Sequence, residues 1–457
     1  MNDEIIDLEK CPNDWPRVQL GSICDVIGGF AAPKGDEPFK DGEIPFVRMR
    51  DLGKYHRTVN LTETDGRLNM DYLKSHKCKI IKKGTILLPR SGSVRWNHRA
   101  VLGVDACIVS HICALVVKDP SIDNMYLYYI LCNFNMQKIM KRTTGLDAIT
   151  FDDLKQISVP IAPYDIQKKI ARILIKVEEV INKRTKTLVD AKLLMQTLLI
   201  SACSGSLTAD WRKEHPDVKP ASSLLEEIKI TRQNTLKKNG SKNRKYSLLK
   251  EYEMKEYKAG LAKLPKNWEW SALGNYAVCS RGKFSIRPRD DPSCYGGQYP
   301  FIQIGDLSKD GGLIESHSQT LNEKGLSVSK MFPAGIAVIA IVGASIGNTG
   351  ILKYDTCFPD SLVGIETGSS ARNQYVEFFL RMSKDKIQSL AYAGGGQPNI
   401  KLETLNPLPI ALPPLEEQEE IVRRINIHSR VIERIKKNNL KLLYYSLQSL
   451  LLSGKIP

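Results

Sequence analysis

The chain has 457 residues, with 66 Lys and Arg against 50 Asp and Glu, giving a formal net charge of +16. Hydrophobic residues at 42% and charged residues at 25% exclude wholesale disorder, and the length predicts two to four domains. The longest strongly apolar stretch, residues 335–344, is shorter than the ~20 residues of a bilayer span. The acidic start MNDEIIDLEK lacks a signal-peptide pattern, so a cytoplasmic location without membrane contact is expected.

Ten cysteines form no C-x-x-C pair and meet no clustered histidines. That argues against a zinc site and for reduced thiols, several of them in the core. The sequence pI near 9.2 favours a polyanionic partner, of which nucleic acid is the commonest. Residues 40–100 alone carry 14 Lys/Arg against 6 Asp/Glu.

In chain order, residues 13–162 mix short β-like runs with Gly-rich turns; residues 86–88 and 108–117 read as strands. From Ile166 a helix is predicted, with apolar residues at Ile170, Leu174, Val177, Ile181, Leu188, Met195, Leu198 and Ala202. Pro163 precedes it, and Ser204-Gly205 supplies a stop. Residues 208–264 are polar and basic, a connector expected to be helical around 221–233, with an acid-free run at 236–246.

The remainder repeats the beginning. NDWPRVQLGSICDVIGG (13–29) returns as KNWEWSALGNYAVCSRG (266–282), IPFVRMRDL (44–52) as YPFIQIGDL (299–307), and ISVPIAP (157–163) as NPLPIAL (406–412). Matches in the same order at a period near 250 indicate a tandem duplication. The second helix, after Pro413-Pro414, carries Ile421, Ile425, Ile432, Ile435 and Leu442 and stops at Ser453-Gly454. About 38 residues make a rod of roughly 57 Å. Two such apolar stripes are expected to cover each other as an antiparallel pair; the alternative is that each packs on its own domain. The expected divisions are 1–162, 163–207, 208–264, 265–412 and 413–457.

Catalytic signatures are absent. GASIGNTG (343–350) lacks the Lys of a phosphate loop, and Asn406-Pro407-Leu408-Pro409 lacks the second Pro and aromatic of an adenine methyltransferase turn. Asp360 and Glu366 approach a nuclease carboxylate spacing, but Thr367-Gly368 stands where a Lys is needed. A duplicated basic chain without chemistry suggests two unlike DNA readers at a fixed separation.

Three segments resemble a known family. AGGGQPNIKLETLNPLPIALPPLEEQEEIV (393–422), ISACSGSLTADWRKEHP (200–216) and the W-x-x-x-x-L-G openings at Trp15 and Trp268 resemble the specificity subunits of type I restriction–modification systems. The resemblance spans nearly the whole chain. It implies two α/β (α+β) target recognition domains in pseudo-twofold relation, separated by two long antiparallel conserved helices. It further implies partners: double-stranded DNA, two methyltransferase subunits and motor–nuclease subunits. S-adenosylmethionine, ATP and Mg would then sit on those partners, and this chain would bind no cofactor or metal. The alternatives are a free-standing bipartite DNA-binding regulator and a self-contained nuclease or methyltransferase. The first copy departs from the pattern, with Gly145-Leu146-Asp147-Ala148 opposite Gly396-Gln397-Pro398-Asn399, and Tyr164-Asp165-Ile166-Gln167 opposite the run ending Glu417-Gln418.

Candidate DNA contacts in the first domain are Arg48 and Arg50, two apart on a strand-like run, and the 90–99 loop with Arg90, Ser91, Ser93, Arg95, Asn97 and Arg99. Arg pairs bidentately with guanine and Asn with adenine, whereas Ser more often holds phosphate. In the second domain the candidates are Arg281, Lys283, Arg287 and Arg289, with Gln303 matching Arg48, and Ser345 and Asn348 matching the Arg90 loop. Gln397 and Asn399 either read adenine or cap the turn. For each basic loop the alternative is a solvated surface.

Overall fold

A computed structural model of the chain describes residues 11–56, 58–91, 98–142, 147–239, 254, 261–286, 288–392, 398–437 and 440–454. They form two compact units. The first comprises residues 1–186 and 438–457, the second residues 187–437.

In the first unit, β1 (Arg17–Gln19) pairs with β12 (Ser158–Pro160), closing the domain where it leads into the central helix. A five-stranded sheet runs in the order β2 (Cys24–Gly28), β9 (Ile112–Val117), β6 (Ile86–Pro89), β7 (Ala100–Leu102), β4 (Thr58–Leu61). A smaller sheet orders β5 (Gly66–Leu68), β3 (Ile44–Val47) and β8 (Cys107–Ile108). Strand β10 (Lys141–Arg142) pairs antiparallel with β11 (Asp147–Ala148). Along β6, Ile86 and Leu88 enter one core while Leu87 enters another. Both faces of the sheet are therefore buried, as the unbroken apolar run at 86–88 requires. The first of these cores is filled by the helix Asn124–Cys132.

The second unit repeats this plan. Strand β13 (Glu269–Ala272) pairs with β23 (Pro409–Leu412). The larger sheet runs β14 (Val278–Arg281), β22 (Leu362–Glu366), β19 (Ala337–Ala340), β20 (Thr349–Leu352), β16 (Leu313–Ile314). The smaller runs β17 (Gln319–Leu321), β15 (Tyr295–Phe301), β21 (Thr356–Cys357), β18 (Met331–Phe332). Along β19, Ala337 and Ile339 face the core containing the helix Ser370–Met382, and Val338 and Ala340 the other. The duplicated sequence has folded into duplicated topology.

The central helix, Tyr164–Ser204, stops at Gly205, whose φ of +81° suits glycine as a left-handed cap. Two further helices, Ala209–Glu214 and Ala221–Asn239, make the connector more helical than its composition suggests. The predicted second rod is described as two helices, Leu415–Lys437 and Leu440–Leu452, with Asn438 and Asn439 outside the described residues.

Within the first unit the start of the central helix meets the end of the last helix in antiparallel register. Tyr444 Oη donates to Glu178 at 2.8 Å, and Leu451 and Leu452 share a core with Ile170 and Leu174. Val177 and Ile181 pack half-buried against it. Within the second unit the end of the central helix (Leu199, Ala202, Cys203) shares a core with Ile421 and Ile425, and Met195 packs against it. Ile432 is buried, Leu188 and Ile435 are half-buried, and nothing is described of the Leu442 side chain. Both expectations hold in part: each helix start packs on its own domain and also against the other repeat's helix.

Among the described residues one helical segment, within residues 164–214, is long and apolar enough to cross a membrane by length and composition alone. Residues 335–344, the apolar stretch noticed in the sequence, instead contain β19. All ten cysteines are free thiols, and burial pushes Cys24, Cys107, Cys113, Cys203 and Cys279 up to about 12.

Candidate nucleic-acid interface

In each unit one end of the sheets gathers the polar candidates, and the strand register shows how. In the first unit β2 ends at Gly28 opposite Cys113, and β6 ends at Pro89 opposite Ile112. The turns beyond them are tied together: Arg90 N donates to His111 O at 2.8 Å, and Ser110 N to Phe30 O at 2.7 Å. The smaller sheet joins here, since Val109 N donates to Val47 O at 3.0 Å, directly before Arg48. Ser91 bridges to Ala148, and Ile149 N donates to Arg90 O. The result is one rim carrying Arg48, Arg90, Ser91 and His111.

The second rim is built the same way. Arg281 pairs with Val363 and Ala340 with Leu362. Lys283 N donates to Phe358 O at 3.0 Å, and Ile302 N to Cys357 O at 3.0 Å, directly before Gln303. Val342 bridges to Asn399, as Ser91 does to Ala148. Arg281, Lys283, Gln303 and Asn399 are all exposed on this rim. The repeated glycines Gly29 and Gly282 sit where β2 and β14 cross the neighbouring backbone. A Cβ there would lie 2.3 Å from Ile108 O and 2.2 Å from Pro359 O, respectively.

Several candidates are placed differently from expectation. Strand β3 stops at Val47, so Arg48 and Arg50 do not alternate along it; Arg48 caps the short helix Met49–Lys54 and Arg50 lies within it. Both are exposed, and Arg50 is paired with Asp65. Arg99 is fully buried and is not a surface contact. Its Nε donates to Leu131 O (3.1 Å), Nη1 to His98 O (2.9 Å) and Nη2 to Phe134 O (3.2 Å), which satisfies carbonyls at the end of a helix. Asn348 is likewise buried, accepting from Lys384 Nζ at 2.7 Å. Ser345 is half-buried.

Arg90 is half-buried with its guanidinium 4.9 Å from the Phe151 ring centre, and Ser91 Oγ lies 2.6 Å from His111 Nδ1. Arg289 pairs with Asp360 at 2.6 Å, which also engages one of the carboxylates near the nuclease spacing. Asp291 accepts from Ser293 N and Oγ, and the hydroxyl holds its carboxyl below the usual range. Ser93, Arg95, Asn97, Arg287 and Gln397 lie outside the described residues. His111 and Ser361 are not among the candidates taken from the sequence, because neither lies in a basic loop. The signal is the repeat: Ser110-His111 and Asp360-Ser361 are polar pairs immediately before buried strands. Among the described residues no group of three His, Cys, Asp or Glu could hold a metal.

In the second unit, the junction with the helices is a buried polar cluster. Glu417, fully buried, accepts from Trp268 Nε1 (2.8 Å), Thr208 Oγ1 (2.6 Å) and Arg212. Gln418 Nε2 donates to Pro413 O at 2.9 Å, and in the first copy Gln167 Nε2 donates to Ala162 O at 2.8 Å. The glutamine common to both copies thus ties each helix start to the strand segment before it. Ile166 stands where Glu417 does and packs half-buried on its core.

A family model described as the type I restriction modification DNA specificity domain matches residues 12–190 and again 265–443. The chain belongs to this specificity family. It is 25% identical to the type I restriction enzyme MjaVIII specificity subunit of Methanocaldococcus jannaschii over 98% of this chain and 94% of that one. It is 24% identical to the EcoDI specificity subunit of Escherichia coli over 91% and 81%. The fold is shared with the crystal structure of a type I restriction–modification S subunit from M. genitalium, with a TM-score of 0.57, 14% identity, and coverage of 99% of this chain and 97% of that one.

Proposed function

We propose that this specificity subunit is the non-catalytic DNA-recognition and scaffolding component of a type I restriction–modification complex. It reads a bipartite double-stranded target and positions two methyltransferase subunits and motor–nuclease subunits around it in the cytoplasm. S-adenosylmethionine, ATP and Mg belong to those partners. The observation that carries this reading is the pair of rims: one backbone plan built twice, bearing Arg48, Arg90, Ser91 and His111 in one domain and Arg281, Lys283, Gln303 and Asn399 in the other. Equal scaffolds with unlike polar groups suit two different base sequences.

The helices support the partner side of the proposal. Val189, Leu193, Leu194 and Ile200 on the central helix are 49–63% exposed, and Ile427 and Val431 on the first C-terminal helix are exposed as well. Large apolar residues left in the open on a helix mark protein contacts. The central helix is interrupted by Lys183, Arg184, Lys186, Asp190 and Lys192, which suits a protein partner better than lipid.

Co-expression with the methyltransferase subunits of its system tests the reading. The complex should co-purify and methylate adenines in one bipartite sequence. A chain that binds DNA specifically but carries no partner would be a free-standing regulator instead.

A further inference from the structure

We infer that Arg48 and Gln303 are the matched specificity determinants of the two domains. Arg48 reads a guanine in one half-site, and Gln303 reads an adenine at the equivalent place in the other. The inference rests on the DNA-facing rims proposed above and adds which base each residue selects.

The two residues share one mount. Arg48 follows β3 and Gln303 follows β15, and each caps a short helical turn, with φ/ψ of −100°/168° and −120°/176°. Each backbone N–H donates to an aspartate three residues on: Asp51 Oδ2 at 2.8 Å and Asp306 Oδ2 at 2.7 Å. A second donor fixes each aspartate, Asp65 N to Asp51 Oδ1 at 3.1 Å and Ser318 Oγ to Asp306 Oδ2 at 3.0 Å. Both side chains therefore leave the backbone in the same local geometry, into solvent.

What differs is the head group. The Arg48 guanidinium lies 4.9 Å from the Phe39 ring centre and 5.7 Å from that of Phe46, which limits the orientations of its plane. It lines an open cleft of about 480 Å³ with Asp36, Phe39, Asp65 and Arg67. There Arg50 is held by Asp65 and Arg67 by the carbonyls of Gly42 and Glu43; no carboxylate pairs with Arg48 among the described residues. With its plane limited by the two rings, the fork of donors suits a base edge, where it matches guanine O6 and N7. Gln303 Nε2 donates to Gln319 Oε1 at 2.6 Å, which fixes the amide. Its second N–H and its Oε1 remain, the one-donor, one-acceptor pair that fits adenine N7 and N6.

The test is the methylation motif of the complex reconstituted with its methyltransferase subunits, read from a randomised duplex library. Arg48→Gln should change one position of one half-site from G to A, with a preference shift on the order of 10- to 100-fold, and leave the other half-site unchanged. Gln303→Arg should do the reverse in the other half-site. If Arg48→Gln methylates nothing in the library, duplexes substituted singly at each position decide. Activity regained only on the G-to-A duplex supports the assignment, and no activity on any of them overturns it. An unaltered motif in both variants overturns the assignment while leaving the DNA-recognition reading intact. A parent complex without a bipartite motif would defeat that reading itself.

Discussion

Arg99 lies in the basic window 40–100, yet its guanidinium is wholly enclosed and donates to three backbone carbonyls. Charge density in a sequence does not distinguish a solvated cation from one that satisfies a helix end, so burial is where the residue reading went astray. Replacing Arg99 by Met would leave the carbonyls of Leu131 and Phe134 without these donors. A loss of roughly 2–4 kcal/mol is expected, read as a lower urea midpoint, with the base preference of the folded protein unchanged. Gly282 is the opposite case, legible because it recurs in both copies. Gly282→Ala would press a Cβ onto the Pro359 and Phe358 carbonyl oxygens at 2.2 and 2.4 Å. About 1–3 kcal/mol of destabilisation should follow, together with weaker selection at one half-site only, measured by unfolding and by bound-sequence selection.

At the scale of elements, the apolar stripe Ile170, Leu174, Ile421, Ile425 was legible because helical periodicity leaves its mark in sequence. The helix Ala209–Glu214 was not, because six residues are too few to show such a stripe. Nor was the clasp around the connector. Arg424 Nη1 and Nη2 meet Asp210 at 2.9 and 3.0 Å, and Arg424 Nε meets Glu420 at 2.6 Å, joining residues far apart in the chain. The hydrogen bond from Arg424 holds Asp210 at about 2, and those from Arg423 and Arg424 hold Glu420 at about 2. Both folded pKa values lie below the ordinary 3.8 and 4.5, so the stabilisation is present at neutral pH. It is lost as pH falls from about 4.5 towards 2. Arg424→Met should flatten this part of the acid dependence, measured as Tm against pH between 6 and 2.5 relative to the parent. Asp210 is exposed while Glu420 and Arg424 are half-buried, so solvent screens part of the clasp and the effect is one of slope rather than of collapse.

At the scale of the whole molecule, the five segments read from the sequence regroup into two units that each draw on both repeats. The first unit takes its last helix from the far end of the chain, through Tyr444, Leu451 and Leu452. Linear segmentation cannot show this, because the contacts join residues some 270 positions apart. Glu178 accepts from Tyr129 Oη at 3.1 Å as well as from Tyr444, and Tyr444→Phe removes the Tyr444 donor from this buried carboxylate. About 1–3 kcal/mol should be lost, seen as faster amide exchange in β2 and β9 with the second unit's strands unaffected.

The central helix gives residues up to Lys186 to one unit and those from Thr187 to the other. If that helix acts as a ruler, one inserted base pair lengthens the spacer by about 3.4 Å and turns one half-site by about 34°. Bending or twisting so short a site to compensate costs free energy. Methylation rates of the reconstituted complex on duplexes with spacers graded one base pair at a time test this most directly. A single spacer length should be methylated fast, with its neighbours on either side losing most activity. Equal rates across several spacer lengths would contradict two readers held at a fixed separation.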